Sequence, residues 1–377
     1  MRRLIVFCLS IMCLLPSCSR LFHNGNIESG DFSVNLYSTL REEMPDENFV
    51  VSPYSLSSAL LLCASGALGN TAQEIYACVG GESRLPVELS SNDENVIVHT
   101  ANSIWYDESI SMKSAYLRNS WKDFGANVEA LDFLSGTAAA RINGWISEQT
   151  EGLIKDMLQE PLSPSTLLVN ALYFKAPWRN CFEKEEGLRP FYGMTPADCR
   201  YFTGEEEFGY LETSSYKAVS IPYSYGSYSF IVVMPKPGKF DKAIKNLENR
   251  DEFFAQISDY SNNRMVSLAI PEFSMESTLP LVPVLMSMGI RTAFGSRADF
   301  SRMTGEENFA IADVLQKAKV SVDAEGTEAA AATIIMVGMT ALREPKERVE
   351  FVADHPFIYM ICDNRTKTVL FIGQKVN

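Results

Sequence analysis

Residues 324–342 read Ala-Glu-Gly-Thr-Glu-Ala-Ala-Ala-Ala-Thr-Ile-Ile-Met-Val-Gly-Met-Thr-Ala-Leu, a sequence that suits two different backbone states. The four consecutive alanines favour a helix of one or two turns, because alanine has the highest helix propensity. The β-branched residues that begin at Thr333, together with Gly338, oppose a longer helix. The composition therefore indicates a segment that is able to change its conformation.

Alternation within the same stretch supports a β-strand as its second state. Every second residue from position 327 is small or apolar and uncharged: Thr327, Ala329, Ala331, Thr333, Ile335 and Val337. The only charged residue from 327 to 342 is Glu328, which falls on the opposite face. A charge buried inside a sheet costs several kcal/mol unless it is paired, so the uncharged face fits a sheet interior. A buried edge strand would show the same pattern, and the alternation alone leaves both interpretations open.

The rest of the chain is predicted to form one mixed α+β domain over residues 31–377. Of the 377 residues, 46% are hydrophobic and 11% aromatic, which excludes a disordered or collagen-like chain. Predicted strands and helices are interleaved, and no linker rich in proline or serine follows residue 31. The predicted helices cover 32–40, 53–68, 113–124, 137–150, 240–258 and 279–288. The predicted strands cover 96–106, 128–133, 166–175, 228–234 and 265–270.

The charge balance argues against a nucleic-acid partner. The chain carries 33 Lys and Arg against 47 Asp and Glu, a formal net charge of -14. Affinity for phosphate comes from clustered cations, and no basic run here is longer than two residues.

The first residues predict export. Arg2 and Arg3 precede an apolar stretch over 4–15, which is too short to span a bilayer but suits a signal peptide over 1–17. The four residues Leu15-Pro16-Ser17-Cys18 resemble a bacterial lipobox, in which Cys18 becomes the lipidated N-terminus. We therefore expect a bacterial cell-envelope lipoprotein tethered to the membrane through residues 18–30. The alternative is an ordinary secretory signal that leaves a secreted protein.

No enzyme signature stands out. The three histidines lie apart from any nucleophile motif, and the acidic runs at 205–207 and 306–307 are expected in turns as solvated faces. Cysteine usage does not suggest a disulfide framework, because five widely spread cysteines remain after position 18. Buried free thiols are expected, with a bridge between Cys181 and Cys199 as the alternative.

The segment over 326–333 that follows Lys-Ala-Lys-Val-Ser-Val-Asp at 317–323 resembles the hinge of inhibitory members of the serpin family. Further matches occur in the family's order at 48–55, at 168–175 with Trp178, at 298–301, at 353–359 and at 369–373. Together they cover nearly all of 31–377. The resemblance implies the serpin fold, with helices around three β-sheets and an exposed reactive-centre loop at about 324–350.

The resemblance also implies a function and its residues. A serine protease, or a papain-like cysteine protease, would cleave the loop and remain covalently bound while the upstream half inserts into the main sheet as a new strand. We expect a monomeric inhibitor, not an enzyme, that needs no metal or cofactor. The hinge would comprise Glu325, Gly326, Thr327, Glu328, Ala329, Ala330, Ala331, Ala332 and Thr333. The shutter and breach, where the sheet opens, would comprise Ser52, Ser55, Asn170, Gln316 and Trp178.

Three positions depart from the family pattern. Ala324 stands where glutamate is usual, and Glu272 stands where its basic partner is usual, so the expected ion pair is absent and a looser breach is predicted. Gln316 replaces a common histidine, so the polar network around it must be rebuilt with an amide or water. The stretch from 326 to 356 is also a few residues longer than usual, with 343–348 as the excess.

The extra length leaves the cleaved bond open. The family's spacing from Gly326 places it at Thr340-Ala341, with Met339-Thr340 one residue earlier. Either bond suits an elastase-like or subtilisin-like protease. Leu342 and Arg343 are less favoured, and cleavage at Arg343 would suit a trypsin-like protease. A second hypothesis keeps the fold but makes the chain a binding protein or a cleavable substrate, and the uncharged face of the hinge argues against it.

Overall fold

The computed structural model describes residues 31–80, 85–89, 95–162, 166–306, 309–328 and 346–377. Within these residues eight helices form: α1 Phe32–Glu43, α2 Pro53–Ser65, α3 Gly69–Cys78, α4 Ser114–Phe124, α5 Ala138–Gln149, α6 Phe240–Leu247, α7 Arg250–Ile257 and α8 Val282–Ser287. Two short 3₁₀ helices cover Tyr260–Asn262 and Thr292–Phe294. None of the described helices is long and apolar enough to cross a membrane.

The described strands, in chain order, are β1 Phe49–Val51, β2 Ile97–Asp107, β3 Asn127–Leu131, β4 Thr166–Pro177, β5 Glu183–Lys184, β6 Arg189–Phe191, β7 Ala197–Cys199, β8 Tyr201–Glu212, β9 Tyr216–Pro222, β10 Tyr228–Pro235, β11 Asn263–Pro271, β12 Phe273–Pro280, β13 Asp313–Val322, β14 Gly326–Thr327, β15 Arg348–Val352, β16 Phe357–Asp363 and β17 Val369–Lys375. They form a six-stranded sheet in the order β12-β13-β14-β4-β2-β3, a nine-stranded sheet and the hairpin β6-β7. The path through the nine-stranded sheet is β1-β17-β16-β10-β9-β8-β11-β15, with β5 paired to β8.

The two large sheets pack face to face. Aromatic and aliphatic side chains of β4, β10, β13 and β16 share one buried cluster, including Phe174, Phe230, Val320 and Tyr359. The other face of the nine-stranded sheet packs on a second cluster with α1, α2, α6 and α7. Helix α5 covers the outer face of β2 and β4 through a third cluster. Because β4 is covered on both faces, all its residues except Lys175 are buried, which explains its near-continuous apolar sequence.

Local signals set the ends of the elements. Helix α2 begins with Pro53 at its first turn, and the Ser52 hydroxyl accepts a hydrogen bond from the Ser55 N–H at 3.2 Å. Helix α4 ends at Gly125, whose φ of 59° is the left-handed conformation that favours glycine. These caps fix where each helix meets the sheets.

The prediction of an α+β fold with three sheets is confirmed, but several predicted boundaries are wrong. The helix predicted over 240–258 is two helices, α6 and α7, separated at residues 248–249. The segment predicted as a helix over 279–288 begins as the end of β12, and α8 starts only at Val282. The acidic run 205–207 lies in strand β8 and not in a turn. Arg348 lies 3.3 Å from the Glu205 carboxylate, and the Asn263 amide donates to Glu207 at 3.2 Å.

The five described cysteines are free, so the alternative bridge between Cys181 and Cys199 is not formed. Cys63, Cys78 and Cys362 are buried, as expected, whereas Cys181 is exposed. Burial raises the pKa of the Cys63 and Cys78 thiols to about 12, so both stay protonated and unreactive.

Candidate functional site

The hinge lies in an opening in the six-stranded sheet. Strands β4 and β13 run parallel and pair directly over six positions, from Leu167 opposite Asp313 to Leu172 opposite Ala318. Above Ala318 the two strands separate, and β14 lies between them. The hinge residues in β14 pair antiparallel with both neighbours, Thr327 with Val322 on one side and Ala176 on the other. The sheet thus already holds the first two residues of an additional strand.

Thr327 is anchored at the centre of this opening. Its side chain has no exposed area, and its hydroxyl lies 2.5 Å from the Tyr223 hydroxyl. Tyr223 in turn stacks on Trp178, with ring centroids 4.6 Å apart and an interplanar angle of 9°. Burial raises the pKa of Tyr223 well above its usual value, so the phenol stays neutral. The face of the hinge that carries Thr327 therefore points into the space between the two large sheets.

Glu328 marks the point where the backbone turns away from the extended conformation. Its φ is 50°, in the left-handed region that non-glycine residues rarely adopt. Its N–H donates to the Ser321 carbonyl at 2.9 Å, and its carboxylate lies 3.9 Å from the Lys319 ammonium. Burial raises the pKa of Glu328, while Lys319 and Lys175 partly oppose that shift. To continue as a strand, the chain must change its backbone conformation at this residue.

The remaining hinge residues lie outside the described part of the chain. These are Ala329, Ala330, Ala331, Ala332 and Thr333. The same holds for the cleavage candidates Met339, Thr340, Ala341, Leu342 and Arg343, and for Cys18.

The breach, which is the top of the opening, is closed by hydrogen bonds that Trp178 and Phe182 donate to the backbone carbonyls of residues 323–325. The Trp178 indole N–H donates to the Asp323 carbonyl at 2.8 Å, and its backbone N–H donates to the Glu325 carbonyl at 3.0 Å. The backbone N–H of Phe182 donates to the Ala324 carbonyl at 3.0 Å. Ala324 itself is 2% exposed and belongs to the buried cluster that includes Trp178. A small apolar side chain suits this position because its surroundings are aromatic.

An ion pair does form at the breach, but its acidic member is Glu325, the residue that follows Ala324. Lys184 of β5 donates to the Glu325 carboxylate at 3.3 Å. This hydrogen bond, and the charge of Glu325, raise the pKa of Lys184, with a smaller contribution from Glu272. Because both side chains are substantially exposed, the pair contributes little to stability, and it serves mainly to hold Glu325 on the outer side.

We expect Ala324→Glu to lower the thermal unfolding temperature of the protein. The substitution forces a carboxylate into the aromatic cluster beside Trp178, at a cost of about 2–4 kcal/mol. Differential scanning calorimetry measures the effect. Ala324→Gln has nearly the same size without the charge and should cost less. If both variants melt with the native protein, the side chain at 324 is not confined as described.

The shutter is a buried network of amides and hydroxyls lower in the sheet. Gln316 of β13 lies directly opposite Asn170 of β4, and its amide donates to the Asn170 Oδ1 at 2.5 Å. Gln316 also accepts from the Ser52 N–H at 2.7 Å and donates to the Ser52 carbonyl at 3.0 Å. Asn170 donates to the Ser55 carbonyl at 2.9 Å and to Asn102. The amide of Gln316 thus supplies the donor and the acceptor that connect both strands to the start of α2.

Replacing this amide should weaken the native protein strongly. Gln316→Leu has a similar volume but leaves the Ser52 N–H, the Ser52 carbonyl and the Asn170 Oδ1 without their partner. We expect a loss of about 3 kcal/mol or more, because each unsatisfied buried polar group costs about 1–3 kcal/mol. The measurement is the thermal unfolding midpoint, with Gln316→His as the control, since a neutral imidazole retains one donor and one acceptor. An unchanged midpoint for the leucine variant would contradict the assigned network.

Three contributors to the site were missed from the sequence: Tyr223, Asn102 and Lys184. Tyr223 follows β9 and contacts Thr327, Asn102 of β2 bonds to Asn170 in the shutter, and Lys184 of the two-residue strand β5 pairs with Glu325 at the breach. Tyr223 had a signal, because Val219, Ile221 and Tyr223 are spaced by two residues, as on one apolar face of a strand. Asn102 and Lys184 had none, because their partners are set only by the tertiary fold.

Several known proteins are similar to this chain in sequence and in fold. The chain matches the family model described as serpin (serine protease inhibitor) over residues 28–377. It is 34% identical over 365 residues to an uncharacterised serpin-like protein of Thermococcus kodakarensis, covering 92% of this chain and 84% of that protein. It is 31% identical over 368 residues to leukocyte elastase inhibitor A of Mus musculus, covering 91% and 96% of the two chains.

Among solved structures, human thyroxine-binding globulin complexed with thyroxine superimposes with a TM-score of 0.81 at 25% identity, covering 93% of this chain and 97% of that one. The family match extends over nearly the whole described chain, and the structure contains a sheet with an opening in which the hinge is seated. The chain therefore belongs to the serpin family.

Proposed function

We propose that the chain inhibits serine proteases by inserting its own cleaved loop into the six-stranded sheet. The observation that carries this proposal is strand β14, which pairs with both β4 and β13 and presents an uncharged, buried side chain at Thr327. Insertion then extends a strand that already exists. The native state is in this view held by a kinetic barrier, and its relaxation drives the inhibition.

The chemical step uses the protease's own machinery. The serine hydroxyl of the protease attacks the carbonyl of the scissile bond, an ester forms, the peptide bond breaks, and the proton passes to the amine of the departing downstream segment. The upstream segment, still esterified to the protease, continues from Glu328 into the gap between β4 and β13. If insertion is faster than hydrolysis of the ester, the protease is carried away from its starting position and stays bound.

Loop residues support an elastase-like or subtilisin-like target. Met339, Thr340 and Ala341 offer small or medium uncharged side chains to the protease. The similarity to a leukocyte elastase inhibitor points in the same direction. The second candidate function, a binding protein, rests on the likeness to thyroxine-binding globulin, which was solved with a bound hormone.

Reaction with a panel of proteases tests the inhibitor directly. The chain without residues 1–17 is mixed with an elastase-like, a subtilisin-like and a trypsin-like protease, and the products are separated on denaturing gels. A complex that resists denaturant, together with a released C-terminal peptide beginning at Thr340 or Ala341, is the expected result. Each protease with its active-site serine blocked is the control and should form no such complex. Complete cleavage of the chain with all proteases still active would favour the substrate or binding function.

We further propose that the protein acts outside the bacterial cytoplasm, attached to the cell envelope through a lipid on Cys18. The support is the apolar segment and the lipobox-like sequence before this cysteine. Metabolic labelling of the full chain with a palmitate analogue should label the native protein and leave Cys18→Ala unlabelled. A secreted, unlabelled native protein would favour the ordinary signal peptide.

A further inference from the structure

A cavity of about 330 Å³ lies at one end of the nine-stranded sheet, away from the hinge. It forms where β10 ends, α6 begins and β16 begins. Its apolar wall consists of Met234, Pro235, Phe240 and Pro356. The proposed inhibitory mechanism uses none of these residues.

The cavity wall is held in place before any ligand arrives. The Arg41 guanidinium lies 3.6 Å from the centre of the Phe240 ring, and it also donates to Gln374 at 2.8 Å. Pro235 ends β10, and Pro237 lies in the turn that links β10 to α6; the rings of both fix the backbone angle φ. A site that is already formed loses little conformational entropy on binding, which favours a real ligand site over a transient groove.

Cationic groups border the apolar wall. Lys217 lies directly opposite Met234 on the neighbouring strand, and Lys236 follows Pro235. Both lysines share one carboxylate, since their ammonium groups lie 3.9 Å and 2.9 Å from Glu212. Two positive charges against one negative charge leave a surplus cation at the cavity edge. His355, whose Nδ1 lies 2.6 Å from Asp354, borders the other side.

We propose that this cavity binds a small amphipathic anion, with an apolar body and one carboxylate. The apolar body would lie against Met234 and Phe240, and the carboxylate would meet the surplus charge of Lys217 and Lys236. The volume is at the lower end for small-molecule sites, so the ligand class is a medium-chain or aromatic carboxylic acid. The proposal concerns a different surface from the hinge and is independent of the proposed inhibition.

Isothermal titration of the chain with decanoate, and separately with the neutral analogue decanol, tests the site. We expect saturable binding of decanoate with a dissociation constant of about 100 µM. Lys217→Ala should weaken decanoate binding about fivefold and leave decanol binding unchanged. Lys122→Ala, on the exposed face of α4, is the matched control and should bind as the native protein does.

A second variant introduces one negative charge into the apolar wall of the cavity. Met234→Glu places a carboxylate against Lys217 and should weaken decanoate binding more than about tenfold. Met234 is only partly buried, so this variant is expected to fold, which its thermal unfolding would verify. The proposal is overturned if the native chain shows no saturable binding at millimolar decanoate, if decanol binds equally well, or if Lys122→Ala weakens binding as much as Lys217→Ala. The formation of covalent protease complexes should be unchanged in every variant, which separates this result from the inhibitory function.

Discussion

Thr327→Arg is expected to turn the inhibitor into a substrate that proteases cleave and release. Position 327 is fully buried between β4 and β13, beside the stacked rings of Tyr223 and Trp178. A guanidinium there must be expelled from the sheet or buried without a partner, and the second choice costs several kcal/mol. A barrier to insertion that is higher by about 3 kcal/mol slows insertion about 100-fold, so the ester is hydrolysed before the loop inserts.

The measurement is the number of inhibitor molecules consumed per protease molecule trapped. The ratio of cleaved, released chain to trapped complex, which this number contains, should rise about 100-fold for Thr327→Arg. Thr327→Ser keeps the hydroxyl that meets Tyr223 and is the matched control, so it should trap as well as the native chain. A Thr327→Arg variant that traps protease normally would show that this residue does not enter the sheet.

Cleavage within 339–343 should raise the thermal unfolding midpoint by more than about 20 °C. A complete strand between β4 and β13 would replace six direct residue pairs by pairing along both of its edges. About ten additional backbone hydrogen bonds, each worth about 1 kcal/mol, together with the newly buried apolar side chains, give a stabilisation of this order.

Calorimetry of the intact and the cleaved chain measures the shift. The native chain incubated with a protease whose active-site serine is blocked is the control, and it should melt at the temperature of the intact chain. A cleaved native chain that melts at the temperature of the intact one would argue for the substrate or binding function instead. This experiment needs no knowledge of the physiological protease.

The prediction for Thr327 rests on local information. Alternation of uncharged residues from Thr327 onward is a property of neighbouring positions, and the structure places Thr327 on the buried face. The need for an amide in the shutter was also predictable, since Gln316 offers a donor and an acceptor where the family pattern has an imidazole. The way Gln316 spans both backbone groups of Ser52 was not, because α2 and β13 meet only in the folded protein.

The breach shows the limit of sequence reasoning. The absence of the usual ion pair between positions 324 and 272 predicted a looser breach, which stays a prediction. The hydrogen bonds that Trp178 and Phe182 donate to backbone carbonyls there, and the pairing of Lys184 with Glu325, were not predicted. These partners are more than 140 positions apart in the chain. The acidic run in β8 was misplaced for a related reason, since its partner strand β11 lies about 60 residues further along the chain and pairs with it only in the folded protein.

The position of the Gln316–Asn170 bond divides the direct pairing of β4 and β13 into two parts of different local stability. Two residue pairs lie above it, at Lys317 and Ala318, and three lie below it. The upper two pairs can separate without breaking the Gln316–Asn170 bond. Opening further requires Gln316 and Asn170 to part at the same time as the strands. The two pairs above Gln316 and Asn170 can therefore separate briefly, whereas separation of the whole β4–β13 pairing is opposed. The protein can then begin loop insertion after cleavage without inserting its intact loop spontaneously.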